Sequence, residues 1–314
     1  MGDEKICKTV DGLIDYFAVA SADEFLRIKN CVTKPILILH PIYKNITILA
    51  KKSAEFCVCN FESFKAVLNE AQVNKNVKYK IHIAINTGMN RFGFSCVIDI
   101  CEVFKICEKT QNIIILGVFT HYYSQNNENI ANSQYLKFEE FKSFIDKIKP
   151  ENDIVFHIAN SNGIEIKNGF DMVRVGYKMY DDTKFSTIKL SSKILDFQVL
   201  QSGDVAGYNG VFQVNKKTKL AVVGIGYADG LFKNIYKKGY VLIKDKFAKI
   251  VAVCMNSLLV DVTEIECKIC DEVVLIGKAK SKQIFICDIA DWCDTIGYEI
   301  IAKLSSQIKR FYKE

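Results

Sequence analysis

The sequence predicts two units of different fold class: an α/β unit of parallel strands over residues 1–185 and an antiparallel all-β domain over residues 186–314. Three observations point to it. Up to about residue 180, short β-rich runs alternate with amphipathic helical stretches. Those runs are apolar on both faces, as strands of a helix-covered parallel sheet are. After residue 185 the apolar runs are separated by Gly, Asp and Lys turns with little helix, although no Pro/Gly/Ser linker marks the change.

Each element follows from its own pattern. Strands are expected at "YFAVA" (16–20), "PILIL" (35–39), "FCVCN" (56–60), "KIHIAIN" (80–86), "LGVFTHY" (116–122), "IVFHIAN" (154–160) and "MVRVG" (172–176). The clearest helix is "NSQYLKFEEFKSFIDKIKP", where Tyr135, Phe138, Phe141, Phe144, Ile145 and Ile148 recur at spacings of three and four before Pro150 stops it. "SADEFLRIKN" and "NFESFKAVLNEA" are also helical, opening with Ser21 and Asn60 as N-caps. A doubly wound sheet and a barrel both satisfy this alternation. In the second unit, "KILDFQVLQSGD", "KLAVVGIGY", "GYVLIKDKFAKIVAVCM", "SLLVDVTEI" and "DEVVLIG" read as antiparallel strands, and "DIADWCDTIGYEIIAKL" as one short helix near the end.

Composition narrows the function classes. The chain has 314 residues, 49% hydrophobic and 25% charged, with a net charge of +6 from 42 Lys+Arg against 36 Asp+Glu. The basic residues are scattered, without the clustered face that nucleic-acid binding needs. No window approaches the roughly 20 apolar residues of a membrane helix. The start "MGDEKICKTV" is too polar for a signal peptide, and Lys5 and Ile6 stand where a myristoylation signal wants Ser or Thr. The twelve cysteines have irregular spacing, and the pair Cys267 and Cys270 in "CKIC" lacks a second pair or a nearby His. Those two read as small apolar residues, with no metal site. The expectation is a cytoplasmic protein with reduced thiols.

In a parallel α/β barrel, chemistry sits at the C-terminal strand ends. Here those ends carry Arg91 in "NTGMNRFG", His121 in "FTHYYS", Ser161 in "HIANSNG", and Arg174 and Gly176 in "VRVGYKMY". Arg174 stands out because it interrupts a run made apolar by Met172, Val173 and Val175, and a guanidinium is rarely buried without a partner. Singly, each has an ordinary reading: a core histidine, an ion-paired arginine, a helix cap. Together, at successive strand ends, they point to a phosphorylated, ring-bearing ligand.

The segments "NTGMNRFGF", "FTHYYS", "HIANSNG", "DMVRVGYKMYD", "VAGYNGVF", "VGIGYADGL", "VCMNSLLVDV" and "IGYEI" resemble those of the alanine racemases, in the family's order and along the whole chain. The resemblance implies a (β/α)8-type TIM barrel binding pyridoxal 5'-phosphate, followed by a C-terminal β domain. It implies interconversion of L-alanine and D-alanine for cell-wall precursor supply, in a homodimer with shared active sites. Arg174 would donate to the cofactor's ring nitrogen, and His121 would lie against the ring. Ser161, Gly176, Tyr177 and Tyr298 would hold its phosphate. Arg91 would serve the cofactor's phenolic oxygen or the substrate carboxylate. Tyr208 would be the base on one face of Cα, reaching with Met255 into the partner's barrel. A phenol ordinarily loses its proton near pH 10, so that role requires neighbours that assist it.

The sequence departs from the family's pattern in three places. The Schiff-base lysine and the first barrel strand that carries it are not found in residues 1–314, where seven strands are expected and closure takes eight. Lys5 and Lys8 fall in the first helix and are poor substitutes. Ala84 stands where many relatives have a lysine that supports the arginine, and Asn256 where Asp is commoner. The expected function is therefore alanine racemase. The alternatives are a racemase for serine or lysine, or a truncated or decayed copy without the lysine.

Overall fold

The structure, a computed structural model, describes residues 4–124, 127–148, 153–165, 170–180 and 187–312. By contact it divides into two units, Met1–Val175 and Gly176–Glu314.

In the first unit six parallel strands pair in chain order: β1 Phe17–Val19, β2 Ile36–Ile38, β3 Ala54–Val58, β4 Tyr79–Ala84, β5 Ile113–Phe119 and β6 Val155–His157. Parallel neighbours need a crossover. Helices α2 Ala22–Ile28, α3 Ile46–Lys51, α4 Phe61–Val73, α5 Val97–Glu108 and α6 Glu128–Ile148 supply one between each pair, after a leading helix α1 Glu4–Val10. A doubly wound sheet reverses its strand order at a switch point. This sheet does not, so the winding is that of an α/β barrel.

Local chemistry sets the helix starts. Ser21 caps α2 by accepting from the Glu24 N–H at 3.3 Å. Asn60 caps α4 by accepting from the Ser63 N–H at 2.8 Å, and the Ser63 hydroxyl reciprocally accepts from the Asn60 N–H at 3.2 Å. Pro150, the expected stop of α6, lies outside the described residues, as does the expected boundary at residue 185. α6 buries Phe138, Phe141 and Ile145, as its spacing requires.

The seventh expected strand, at 172–176, is not one. It touches the sheet through a single parallel bridge between Asn160 and Arg174, with the Arg174 N–H donating to the Ala159 carbonyl at 2.9 Å. The cause lies just upstream. Phe170 takes a left-handed conformation, φ 62°. Asp171 then binds β6 twice, its carboxylate accepting from the Phe156 N–H and its own N–H donating to the Phe156 carbonyl. The apolar reading of the run is also corrected: Val173 and Val175 are each 43% exposed, and their side chains lie on the opposite parity from Arg174.

The second unit forms a seven-stranded antiparallel sheet from β7 Leu190–Leu200, β10 Thr218–Val223, β11 Tyr240–Ile243, β12 Lys246–Val253, β13 Leu258–Asp261, β14 Glu272–Lys278 and β15 Gln283–Ile284. A separate two-stranded ribbon joins β8 Val205–Ala206 to β9 Phe212–Gln213. Because β11 pairs with β14 as well as β12, six of the seven strands close into a ring. Closure removes exposed edges, and the ring encloses its own apolar core. The single helix expected near the end is two, α7 Ile286–Cys293 and α8 Gly297–Lys303. Asp294 turns left-handed, φ 54°, and the Thr295 N–H returns to the Ala290 carbonyl at 2.9 Å, which terminates α7.

Phe138 is fully buried and packs edge-on against Phe170 at 4.9 Å and Phe156 at 6.2 Å. Phe138→Ala should destabilise the first unit by about 3–5 kcal/mol, read as a lowered urea midpoint in its unfolding step.

Candidate active site

Strand parity gives the sheet of the first unit a polar interior. Glu55 on β3, His82 on β4 and His157 on β6 share one face and are among its most buried residues. Between them, Gly117 on β5 is a spatial necessity: a Cβ there would lie 2.2 Å from His82 Nδ1. Sequence reading passed over Glu55, His82 and His157. The available signal was a histidine at an inward position of two apolar strands, in "KIHIAIN" and "IVFHIAN".

Arg174 is the centre of the site. Its Nη1 donates to His157 Nδ1 at 2.6 Å and to the His157 carbonyl at 3.2 Å. Its Nη2 donates to the carbonyls of Thr120 at 2.7 Å and Ile158 at 3.1 Å, and lies 3.4 Å from His121 Nδ1. The guanidinium sits 5.6 Å from the Phe119 ring centre, and that ring stacks on His157 at 5.0 Å. All its held contacts go to the Nη nitrogens, while the Nε–H has no partner among the described residues. Burial, and then the Arg91 charge, bring its pKa down to about 10, which leaves it charged at neutral pH.

His121 follows β5 directly and is half-buried. Its Nε2 lies 3.4 Å from Asn160 Nδ2. Burial first, then the charges of Arg174 and Arg91, lower its pKa to about 4. Gln134 of α6 fixes the backbone around it, donating to the His121 carbonyl at 3.1 Å and accepting from the Tyr123 N–H at 3.1 Å. Ser161, buried, opens the short turn Ser161–Glu165. Before it, Asn160 Oδ1 accepts from the N–H groups of Asn162 and Gly163.

Arg91 is exposed, on a loop that leaves β4 and returns to it. Asn86 Oδ1 accepts from the N–H groups of Gly88 and Asn90, and the Phe94 N–H closes the loop on the Ala84 carbonyl at 2.9 Å. Left-handed Gly93 meets the Asn86 backbone so closely that a Cβ would lie 2.5 Å from its nitrogen. Below the loop, Cys57, Cys59, Ala84 and Phe119 form a small buried apolar layer. The first unit therefore brings Arg174 and His121 into contact, with Arg91 near enough for its charge to bear on both.

In the second unit, Tyr177 and Tyr298 stack with ring centres 4.4 Å apart. Gly297 makes room for this pair, since a Cβ there would meet the Tyr177 hydroxyl oxygen at 2.0 Å. Gly176 immediately precedes the turn Tyr177–Met179. Tyr208 lies in a turn with left-handed Gly207, Asn209 and Gly210, which accounts for the "GYNG" spelling. That turn packs on Ala252 of β12, and Met255 follows the same strand. Tyr208 is 52% exposed and Met255 50%.

Among the described residues no group of His, Cys, Asp and Glu is arranged to hold a metal ion, and no helix is long and apolar enough to cross a membrane. Cys267 and Cys270 are free thiols.

Comparison with known proteins matches residues 1–184 to the alanine racemase N-terminal domain and residues 187–312 to the alanine racemase C-terminal domain. An alanine racemase of Thermodesulfovibrio yellowstonii is 30% identical over 308 residues, covering 95% of this chain and 82% of that one. The solved alanine racemase of Clostridium difficile 630 superposes with a TM-score of 0.85 at 26% identity, covering 97% of this chain and 83% of that one. The alanine racemase of Bartonella henselae with covalently bound pyridoxal phosphate has the same fold, with a TM-score of 0.86 at 23% identity over 99% of this chain and 88% of that one.

The depressed His121 pKa has a definite sign. Its folded value of about 4 lies below the ordinary 6.5, so between those values the unfolded chain binds a proton that the native site refuses. Stability should fall as pH drops through that window, and His121→Asn should remove part of the loss. Urea midpoints at about pH 7 and about pH 5 test this. A His121 NMR titration near the ordinary value would contradict it.

Proposed function

The chain belongs to the alanine racemase family, and from that footing we propose that it interconverts L-alanine and D-alanine with pyridoxal 5'-phosphate as cofactor. The observation that carries the reading is the Arg174 guanidinium. Its Nη groups are consumed by the protein, while a single Nε–H has no protein partner. That donor set fits an unprotonated heterocyclic nitrogen. The fit extends to charge: the Arg91 charge raises the cost of the proton on Arg174, so a ligand bearing phosphate or carboxylate relieves the repulsion.

Bound pyridoxal phosphate supplies an electron-accepting ring conjugated to the substrate nitrogen. This chain's residues set what that ring does. Arg174 holds its own proton at neutral pH, so it gives the ring nitrogen a hydrogen bond and no proton. Arg174 would in this way weaken the electron sink that the cofactor supplies and favour return of a proton to Cα over transamination. His121, neutral, lies against the ring without adding charge. Ser161, Gly176 and the stacked Tyr177 and Tyr298 serve the phosphate with hydroxyl and N–H donors. Arg91 orients the substrate carboxylate or the cofactor's phenolic oxygen. Tyr208 moves the proton on one face of Cα.

The exposure of Tyr208 and Met255 supports a homodimer. Both are half exposed, and Val205, Leu195 and Val199 on the same unit are exposed apolar residues. A partner copy covering them would bring Tyr208 over its barrel. D-alanine made this way would feed peptidoglycan precursors, a cytoplasmic need.

The full-length protein loaded with pyridoxal phosphate in deuterium oxide should exchange the Cα proton of both L-alanine and D-alanine. Tyr208→Phe should slow abstraction from one enantiomer by at least about tenfold more than from the other, because the phenol acts on one face only. Equal effects on both enantiomers would remove Tyr208 from the role of base. Absence of exchange in the unsubstituted protein would overturn the racemase reading.

A further inference from the structure

Behind Arg174 runs a line of buried polar side chains that the proposed chemistry does not use. His157 Nε2 lies 3.4 Å from His82 Nδ1, and His82 Nε2 lies 3.0 Å from Glu55 Oε2. Exposures of 0% for His157, 0% for His82 and 1% for Glu55 remove these groups from bulk solvent. At the far end, the Lys80 ammonium stands 3.7 Å from Glu55 Oε1, and burial together with the Glu55 carboxylate pushes the Tyr16 phenol up to about 12. The register is built for the line. Glu55 and Lys80 are paired on β3 and β4, and His82 lies beside Gly117, whose missing Cβ admits the ring.

The two ends fix the direction of every bond between them. A guanidinium only donates, and an ionised carboxylate only accepts. A neutral imidazole carries one N–H and one lone pair. Glu55 therefore takes the proton on His82 Nε2, which leaves His82 Nδ1 as an acceptor. His157 must then carry its proton on Nε2, which leaves His157 Nδ1 as the acceptor that meets Arg174 Nη1 at 2.6 Å. No other assignment of protons satisfies all three contacts without two donors or two acceptors facing each other. Burial first, and then the Arg174 charge, keep His157 far below its ordinary pKa, in line with a neutral ring.

We propose that Glu55 and His82 are positioning residues for Arg174: through two imidazole tautomers fixed in series, the carboxylate makes His157 an acceptor, orients the guanidinium plane, and leaves its Nε–H as the outward donor. The importance of that orientation for cofactor binding rests on the role proposed for Arg174 above, while the tautomers themselves do not. Gly117 belongs to the same device, because any side chain there displaces the middle ring.

Four histidines make the test tractable by imidazole 15N NMR on the ligand-free protein. His82 and His157 should both be neutral Nε2–H tautomers near neutral pH. An Nδ1–H tautomer or an imidazolium at either position overturns the proposal without any variant. Glu55→Leu should then abolish the single Nε2–H state of His157, three strands away, and shift the Arg174 Nε–H resonance. Unchanged signals at both would reduce Glu55 to a packing residue and sink the idea. Pyridoxal 5'-phosphate titrated into His82→Gln should bind about tenfold more weakly than into the unsubstituted chain, the effect of one misdirected hydrogen bond. Equal affinity in the two overturns the positioning role. If the tautomers are as stated and the unsubstituted chain binds no cofactor, the relay stands and the cofactor reading fails.

Discussion

A guanidinium removed from bulk water keeps its charge, and the first unit is organised around that constraint. No carboxylate touches Arg174 among the described contacts. Its neighbours are instead neutral acceptors: the carbonyls of Thr120, His157 and Ile158, and one imidazole nitrogen. The carbonyls of Thr120 and Ile158 lie just past the ends of β5 and β6, at Phe119 and His157, where strand pairing does not consume them, while the His157 carbonyl accepts from both the Thr120 N–H and the arginine. A direct carboxylate partner would neutralise the cation where a ligand is to meet it. Neutral acceptors hold the group and leave its field intact.

The same logic explains the arrangement of charge around it. Arg91 sits on a hydrogen-bonded loop, close enough for its charge to lower the proton affinity of both Arg174 and His121. Two cations and an imidazole that stays neutral make a site that is electrostatically incomplete on its own. Part of the stability that the first unit gives up to this repulsion is recovered when an anion arrives, and ligand binding and folding are thereby linked.

Much of the architecture was legible in the sequence, because both units rest on periodicity. Six of the seven expected parallel strands formed, and both the Ser21 and Asn60 caps formed as written. What failed did so for local reasons. The run at 172–176 has strand-like composition, but a left-handed Phe170 and the Asp171 tether decide its path, and neither shows in an apolar count. The helix over 288–304 broke at Asp294, a residue that tolerates the left-handed region without announcing that it will use it. Strand ends pointed to Arg174, His121 and Ser161, and the structure brings Arg174 and His121 together. Glu55, His82 and His157 were not, since each is a single polar residue in an apolar strand and acquires meaning only when three strands align their faces.

The fit of the His82 ring over Gly117 imposes an order on change. With the imidazole in place, even alanine at position 117 brings its Cβ within 2.2 Å of ring nitrogen, so the glycine is frozen for as long as the histidine remains. Were His82 first exchanged for a smaller residue, position 117 would be released and free to drift. Once it acquired a side chain, the return of histidine would be blocked. The pair therefore fixes the order of change: the histidine must leave before position 117 gains a side chain, and position 117 must revert to glycine before the histidine returns.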